Sequence, residues 1–270
     1  MMESREWELR KDLCEVSRRL YLAGFMAGSD GNVSTILNQD EILITPSRLS
    51  KGFMEPHQMS KIDRNGQQIG EGLPPSTEAP MHLAVYEERP DVCSVVHCHT
   101  PILVAFTVVG QELPSMVLPE IETIFGGEIP LAPYATPGCP EIADSVRAPI
   151  RSRTATVVLL DHHGLIAVGQ DVYQAGMKAE HAEAAARIIF YARQLGKEIT
   201  LPAQSREKLN EISKKVKGLE SQIYTGYCHA PECDVKSAPQ INSTDSRNMD
   251  ETEIESLVRQ IIHENQTRRV

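Results

Sequence analysis

Val92-Cys93-Ser94-Val95-Val96-His97-Cys98-His99 decides how this chain is read: an apolar, β-branched run that ends on two imidazoles one residue apart. In an extended strand alternate side chains share a face, so His97 and His99 point the same way while Cys98 points into the opposite layer. A same-face histidine pair at a strand end is half of a metal site. A third candidate ligand, His163, stands in Asp161-His162-His163-Gly164, just after another β-branched run at residues 154–160. Three imidazoles with one open position form the catalytic zinc pattern, whereas four protein ligands mark a structural site. Glu78 is a carboxylate nearby in chain order, opening a helix behind two hydroxyls. It is either an acid/base beside the metal or a helix N-terminal acid favoured by the macrodipole. His82, His162 and His181 read as satisfied core or surface groups.

Working outward, residues 4–23 read as an amphipathic helix, because Leu9, Leu13, Val16 and Leu20 recur at helical spacing. Gly28-Ser29-Asp30-Gly31-Asn32 is a turn, followed by strands at 33–37 and 42–45, the second ended by Pro46. Pro75-Ser76-Thr77-Glu78 starts a helix that Arg89-Pro90-Asp91 closes. Strands are expected at 129–132 and 154–160, and a long helix at 172–195 ended by Gly196. Strands and helices interleave, which gives an α/β sandwich.

The 270 residues carry a net charge of −10, which argues against a nucleic-acid partner, since phosphate backbones need a basic face. With no N-terminal apolar signal stretch and no uninterrupted membrane span, the six scattered cysteines read as free thiols of a reduced, cytoplasmic protein with no membrane partner. Cys228 and Cys233 lack a second Cys/His pair to complete a zinc set. Three segments follow: a main domain at 1–224, a polar linker at 225–249, and an amphipathic helix at 250–270. In the last, Ile254, Leu257, Val258, Ile261 and Ile262 form a narrow apolar stripe. A helix that short is marginal in water, so it needs a docking surface.

Gly31-Asn32, Thr45-Pro46-Ser47 and Ser76-Thr77 offer turn N–H groups and short hydroxyls that together suit a phosphate dianion without lysine. Gly31-Asn32-Val33-Ser34, Ile44-Thr45-Pro46-Ser47, Ser76-Thr77-Glu78, His97-Cys98-His99, Ala132-Pro133-Tyr134-Ala135 and His162-His163-Gly164-Leu165 also occur in a telling order. In it the chain resembles the zinc-dependent class II sugar-phosphate aldolases, nearest to the L-fuculose-phosphate aldolase type, over residues 4–224.

The resemblance implies a three-layer α/β/α sandwich around a mostly antiparallel sheet, the fold shared with adducin heads, assembled as a homotetramer with active sites at subunit interfaces. It implies one Zn2+ per subunit on His97, His99 and His163, with Glu78 as acid/base and as the metal's fourth ligand when substrate is absent. Gly31, Asn32, Ser47, Ser76 and Thr77 would hold the substrate phosphate. The implied reaction is retro-aldol cleavage of a ketose 1-phosphate, of the L-fuculose or L-rhamnulose type, to dihydroxyacetone phosphate and a small aldehyde such as L-lactaldehyde. Pentulose-phosphate 4-epimerases and methylthioribulose-phosphate dehydratases use the same zinc fold, and an adducin-head-like interaction module is the non-catalytic alternative. The tail resembles an encapsulation peptide, which would dock residues 250–270 to a bacterial microcompartment shell protein and put the enzyme inside that compartment.

Two departures stand out. The fuculose-phosphate enzymes protonate the leaving aldehyde with a tyrosine in the segment that here reads Pro114-Ser115-Met116-Val117-Leu118-Pro119-Glu120. Leu118 replaces it, which leaves two readings: Glu120 or Glu122 stands in as the proton donor, or a different aldehyde is released. Arg48 stands where the family commonly has glycine, and Tyr224 is a loose match to a C-terminal tyrosine that shapes the aldehyde site.

Overall fold

The computed structural model describes residues 2–224; the linker expected at 225–249, the helix expected at 250–270, and Cys228 and Cys233 lie outside the described residues. Seven strands form one sheet: β1 (Asn32–Ile36), β2 (Glu41–Ile44), β3 (Ser60–Asp63), β4 (Ser94–Cys98), β5 (Leu131–Ala132), β6 (Val157–Leu160) and β7 (Gly164–Gly169). Their order is β3-β2-β1-β4-β7-β6-β5. Every pairing is antiparallel except that of β5 with β6.

Helices α2 (Ala79–Glu88) and α5 (Glu141–Ile150) pack together on one side. On the other lie α1 (Met2–Leu22), α3 (Pro101–Val108), α4 (Pro119–Phe125) and α6 (Val172–Leu195), with α7 (Ser205–Tyr224) against α4. The fold is therefore α/β, with a mostly antiparallel sheet flanked by helices. Strand alternation divides the core into two. Val95, Ile166 and Val168 join Met81, Val85 and Val146 on the α2/α5 side, whereas Val96, Cys98 and Leu165 join Leu13, Leu103 and Ala182 on the other. Because β4 lies mid-sheet with both faces covered, its sequence is an unbroken buried run rather than a polar/apolar alternation.

Local signals explain the long elements. Asp171 caps α6 by accepting from Gln174 N–H at 2.7 Å. Gly176 lets α1 and α6 approach closely, since a Cβ there would meet Val16 Cγ1 at 2.9 Å. The expected helix at 4–23 is α1, and the expected strand at 129–132 is only the two-residue β5. β7 was not foreseen, although it is the strand that pairs with β4 and carries its hairpin turn, Asp161-His162-His163, to the histidine pair. Nor were β3, α3, α4, α5 and α7: β3, α3 and α4 are only four, eight and seven residues long, and α5 is interrupted by Pro149. Cys14, Cys98 and Cys139 are free thiols; Cys93 is disulfide-bonded, a departure from the expectation that all six are free. Among the described residues no helix is long and apolar enough to cross a membrane.

Candidate metal centre

The sheet gathers the candidate residues at one of its ends. β1 starts there, β2 and β4 finish there, and β7 starts there: Asn32 pairs with His97, Ser34 with Ile44, and Cys98 with Leu165. Gly31-Asn32, Thr45-Pro46-Ser47, His97-Cys98-His99 and His163-Gly164 thus share an edge. The segment before α2 joins them. Ser47 N–H donates to Pro74 O at 2.9 Å and Ser76 N–H to Thr45 O at 3.3 Å, with Pro46 bridged to Pro75.

His97, His99 and His163 stand as a cluster whose ring nitrogens lie within 4.8 Å of one another. Their ring centroids are 4.8–4.9 Å apart, and the Nε2 atoms of His97 and His99 are 3.1 Å apart. His97 is fully buried, and its Nδ1 lies 2.9 Å from Leu165 O. That carbonyl can only accept, so Nδ1 carries the proton and Nε2 turns a bare lone pair to the cluster. Burial pushes the pKa of His97 well below that of a free imidazole, with neighbouring His99 and His163 adding to the effect. Burial also lowers His99 and His163, against the pull of Asp30 and Glu78. Uncharged imidazoles are what a cation needs. Nε2 atoms around a tetrahedral zinc stand roughly 3.3 Å apart, given Zn–N bonds of about 2.0–2.1 Å, so the donor set fits a divalent ion of that class.

The backbone has been shaped to admit these rings. A Cβ on Gly164 would meet Cys98 O at 2.5 Å, His99 Cδ2 at 3.0 Å and His97 Cε1 at 3.1 Å. Gly31, with φ of +72°, would meet His97 O at 2.9 Å. His163 ends a three-residue hairpin turn in which His162 is left-handed, φ 56°. Its own Nδ1 is buried without a partner, so nothing among the described residues fixes its tautomer.

Glu78 sits at the N-cap of α2 yet makes no capping hydrogen bond with its carboxylate. Its Oε2 lies 3.4 Å from His97 Nε2 and its Oε1 3.5 Å from His163 Nε2, while Asn32 Nδ2–H donates to Oε2 at 2.7 Å. Glu78 thus stands at the helix N-terminus, where the macrodipole favours an acid, but its carboxylate is turned to the imidazoles; the hydroxyl that accepts a backbone N–H there is Ser76 Oγ, from Glu78 N at 3.3 Å. Ser76 is buried, Ser47 half-buried and Thr77 exposed. Arg48 is exposed and held at φ 58°, a conformation that costs a side-chain-bearing residue about 1–2 kcal/mol.

The segment expected to carry the proton donor is built otherwise. Leu118 is the half-buried N-cap of α4 and packs on the larger core. Glu122 is buried and accepts Met116 N–H at 3.0 Å, so it holds its own loop and is not a free acid. Glu120 is exposed.

Some supporting residues escaped the sequence reading. Glu183, 1% exposed, accepts from Ile102 N at 3.1 Å and Leu103 N at 3.1 Å, satisfying the start of α3 directly after His99. Lys51, also 1% exposed, donates to Ser29 O and Leu49 O and so fastens the 28–31 turn; burial brings its pKa down to about 8. A buried acid inside an apolar helix face was a readable signal for Glu183. Lys51 gave none.

Residues 11–190 match the Class II Aldolase and Adducin N-terminal domain. The chain is 34% identical over 188 residues to 3-oxo-tetronate 4-phosphate decarboxylase of Cupriavidus necator, covering 68% of this chain and 85% of that one. It is 32% identical over 210 residues to L-fuculose phosphate aldolase of Escherichia coli K12, covering 78% and 94% respectively. A solved structure of an L-fuculose 1-phosphate aldolase superposes with a TM-score of 0.70 at 27% identity, over 77% of this chain and 96% of that one.

Proposed function

The chain belongs to the Class II Aldolase and Adducin N-terminal domain family and is a class II aldolase, and from that premise we propose that it cleaves a ketose 1-phosphate to dihydroxyacetone phosphate and a small aldehyde. The observation that carries this reading is the pairing of a three-imidazole cluster with one carboxylate, Glu78, 3.4–3.5 Å from two of its rings. His97, His99 and His163 would hold the metal, taken as Zn2+, one per subunit. When bound, such an ion supplies electrophilic stabilisation of the negative charge that develops as a carbon–carbon bond beside a carbonyl breaks.

The chain's own groups do the rest. Gly31, Ser47, Ser76 and Thr77, with the backbone of Asn32, cradle the phosphate and so fix which end of the sugar faces the histidines. Glu78 carries the proton to and from the carbon of dihydroxyacetone phosphate that the aldehyde leaves. Fuculose and rhamnulose 1-phosphates, giving lactaldehyde, are the first substrates to test. A homotetramer with sites at the interfaces fits the exposed apolar side chains Val108, Val109, Tyr134, Phe190 and Tyr191. By its resemblance to an encapsulation peptide, the 250–270 segment is proposed to dock to a microcompartment shell protein, and its deletion should disperse the enzyme without slowing it; loss of the tetramer instead would make it an oligomer-packing helix.

Decarboxylation of a phosphorylated 3-oxo acid is the second reading, favoured by the similarity to the Cupriavidus enzyme. Both reactions expel a fragment from a carbon beside a carbonyl. Product analysis on fuculose 1-phosphate, rhamnulose 1-phosphate, ribulose 5-phosphate and a 3-oxo-tetronate 4-phosphate separates them: a coupled dihydroxyacetone phosphate signal supports the aldolase, carbon dioxide release the alternative. Glu78→Gln should retain the metal and lose cleavage by about 10²–10⁴-fold. Near-normal turnover of that variant would overturn the role given to Glu78.

A further inference from the structure

A chain of hydrogen bonds leaves Glu78 and runs away from the histidine cluster into the layer under α2. Asn32 Nδ2 lies 2.7 Å from Glu78 Oε2, and Asn32 Oδ1 lies 2.5 Å from His82 Nε2. On the far side of the ring, His82 Nδ1 is 2.7 Å from Ser34 Oγ, which is 2.7 Å from Tyr86 OH. The two elements mesh by their periods. Glu78, His82 and Tyr86 fall at i, i+4 and i+8 on one face of α2, and Asn32 and Ser34 at i and i+2 on one face of β1. His82 is 0% exposed, and Asn32, Ser34 and Tyr86 are buried with it.

The order of donors is forced. An ionised carboxylate only accepts, so Asn32 gives it the Nδ2–H and must turn Oδ1 toward His82. His82 therefore carries its proton on Nε2, which leaves Nδ1 bare to accept the Ser34 hydroxyl hydrogen. Ser34 in turn accepts from Tyr86. Each member is satisfied only in this sense, and a partly satisfied buried network is costly.

We propose that His82 is a positioning residue for Glu78: its Nε2–H locks the Asn32 amide in the one orientation that donates to the carboxylate. This rests on Glu78 being the proton carrier. The locked amide holds Oε2, which leaves Oε1 as the oxygen facing His163. Without the His82 donor the amide is free to turn, and its carbonyl oxygen would then oppose the carboxylate. Burial brings the pKa of His82 down to about 3, so the ring serves as a neutral donor at any working pH. Ser34 and Tyr86 are included because they decide which ring nitrogen bears the hydrogen.

The test compares His82→Leu, which has no donor, with His82→Gln, which has one. The expectation is a fall in kcat of about 10–100-fold for His82→Leu with KM little changed, and recovery of part of that loss in His82→Gln. Equal losses in the two variants, or an unchanged kcat in His82→Leu, overturn the proposal. Should His82→Leu not fold, Ser34→Ala carries the comparison, since it frees His82 to take the other tautomer and should lower kcat. A readout independent of catalysis is the tautomer itself. Nitrogen-15 NMR of the full chain should show Nε2–H at His82 and a shift toward Nδ1–H in Ser34→Ala. Finding Nδ1–H in the wild type overturns the network. Failure of the wild type to cleave any ketose 1-phosphate would instead overturn the proposed reaction, with the tautomer result still deciding the network.

Discussion

Two regions of this molecule were expected to share one reaction, and they are built on different principles. The histidine cluster stands at the ends of paired strands, where register fixes each Cα: Asn32 opposite His97, Cys98 opposite Leu165. The 114–122 segment is a loop and a helix start, with Glu122 spent on Met116 N–H and Glu120 in solvent. Strand pairing sets several side chains at once, whereas a loop sets its side chains one contact at a time. The metal half can therefore be kept while the aldehyde half is rewritten around it.

The largest effect in this comparison should come from the sheet side. His163→Ala should release the metal, by elemental analysis, and lower cleavage by about 10³-fold or more. Gly164→Ala comes next: it leaves every ligand in place but sets a methyl against Cys98 O and two imidazoles. It should weaken metal binding, measured by chelator competition, by about 10–100-fold and cost about 1–3 kcal/mol of stability. On the loop side the two acids should part. Where Glu120 is the stand-in proton donor, Glu120→Gln lowers kcat by about 10²-fold with Tm unchanged; an unchanged kcat excludes it. Glu122→Ala should lose about 1–3 kcal/mol of stability by exposing the unpaired Met116 N–H, with the smaller effect on turnover. The reverse pattern would move the proton donor to Glu122 and break the contrast.

What was legible in the sequence follows the same line. His97, Cys98 and His99 alternate as a strand must, and Cys98 does enter the opposite core. α1 was readable because Leu9, Leu13, Val16 and Leu20 keep helical spacing over about three turns, and α6 because a long run rich in Ala, Glu and Arg ends on Gly196. α3 and α4 were not, being eight and seven residues long. β7 was missed because Gly164-Leu165-Ile166-Ala167-Val168-Gly169 is buried on both faces and so carries no period to read. His82 read as a satisfied core histidine, which it is, but its partner is the asparagine that touches Glu78.

The sequence by itself determined the residue types: three imidazoles, a carboxylate at a helix start, and turn segments rich in hydroxyls and glycine. These are chemical identities, and chain order preserves them. Only the tertiary structure decided who meets whom. Glu78 and His97 lie nineteen positions apart and His163 sixty-six further on, and no local propensity encodes the antiparallel register that brings them within 3.5 Å. The burial that removes the charge from His97 and orders the hydrogens from Tyr86 to Glu78 is likewise collective, because it exists only once two layers of helices have closed over the sheet.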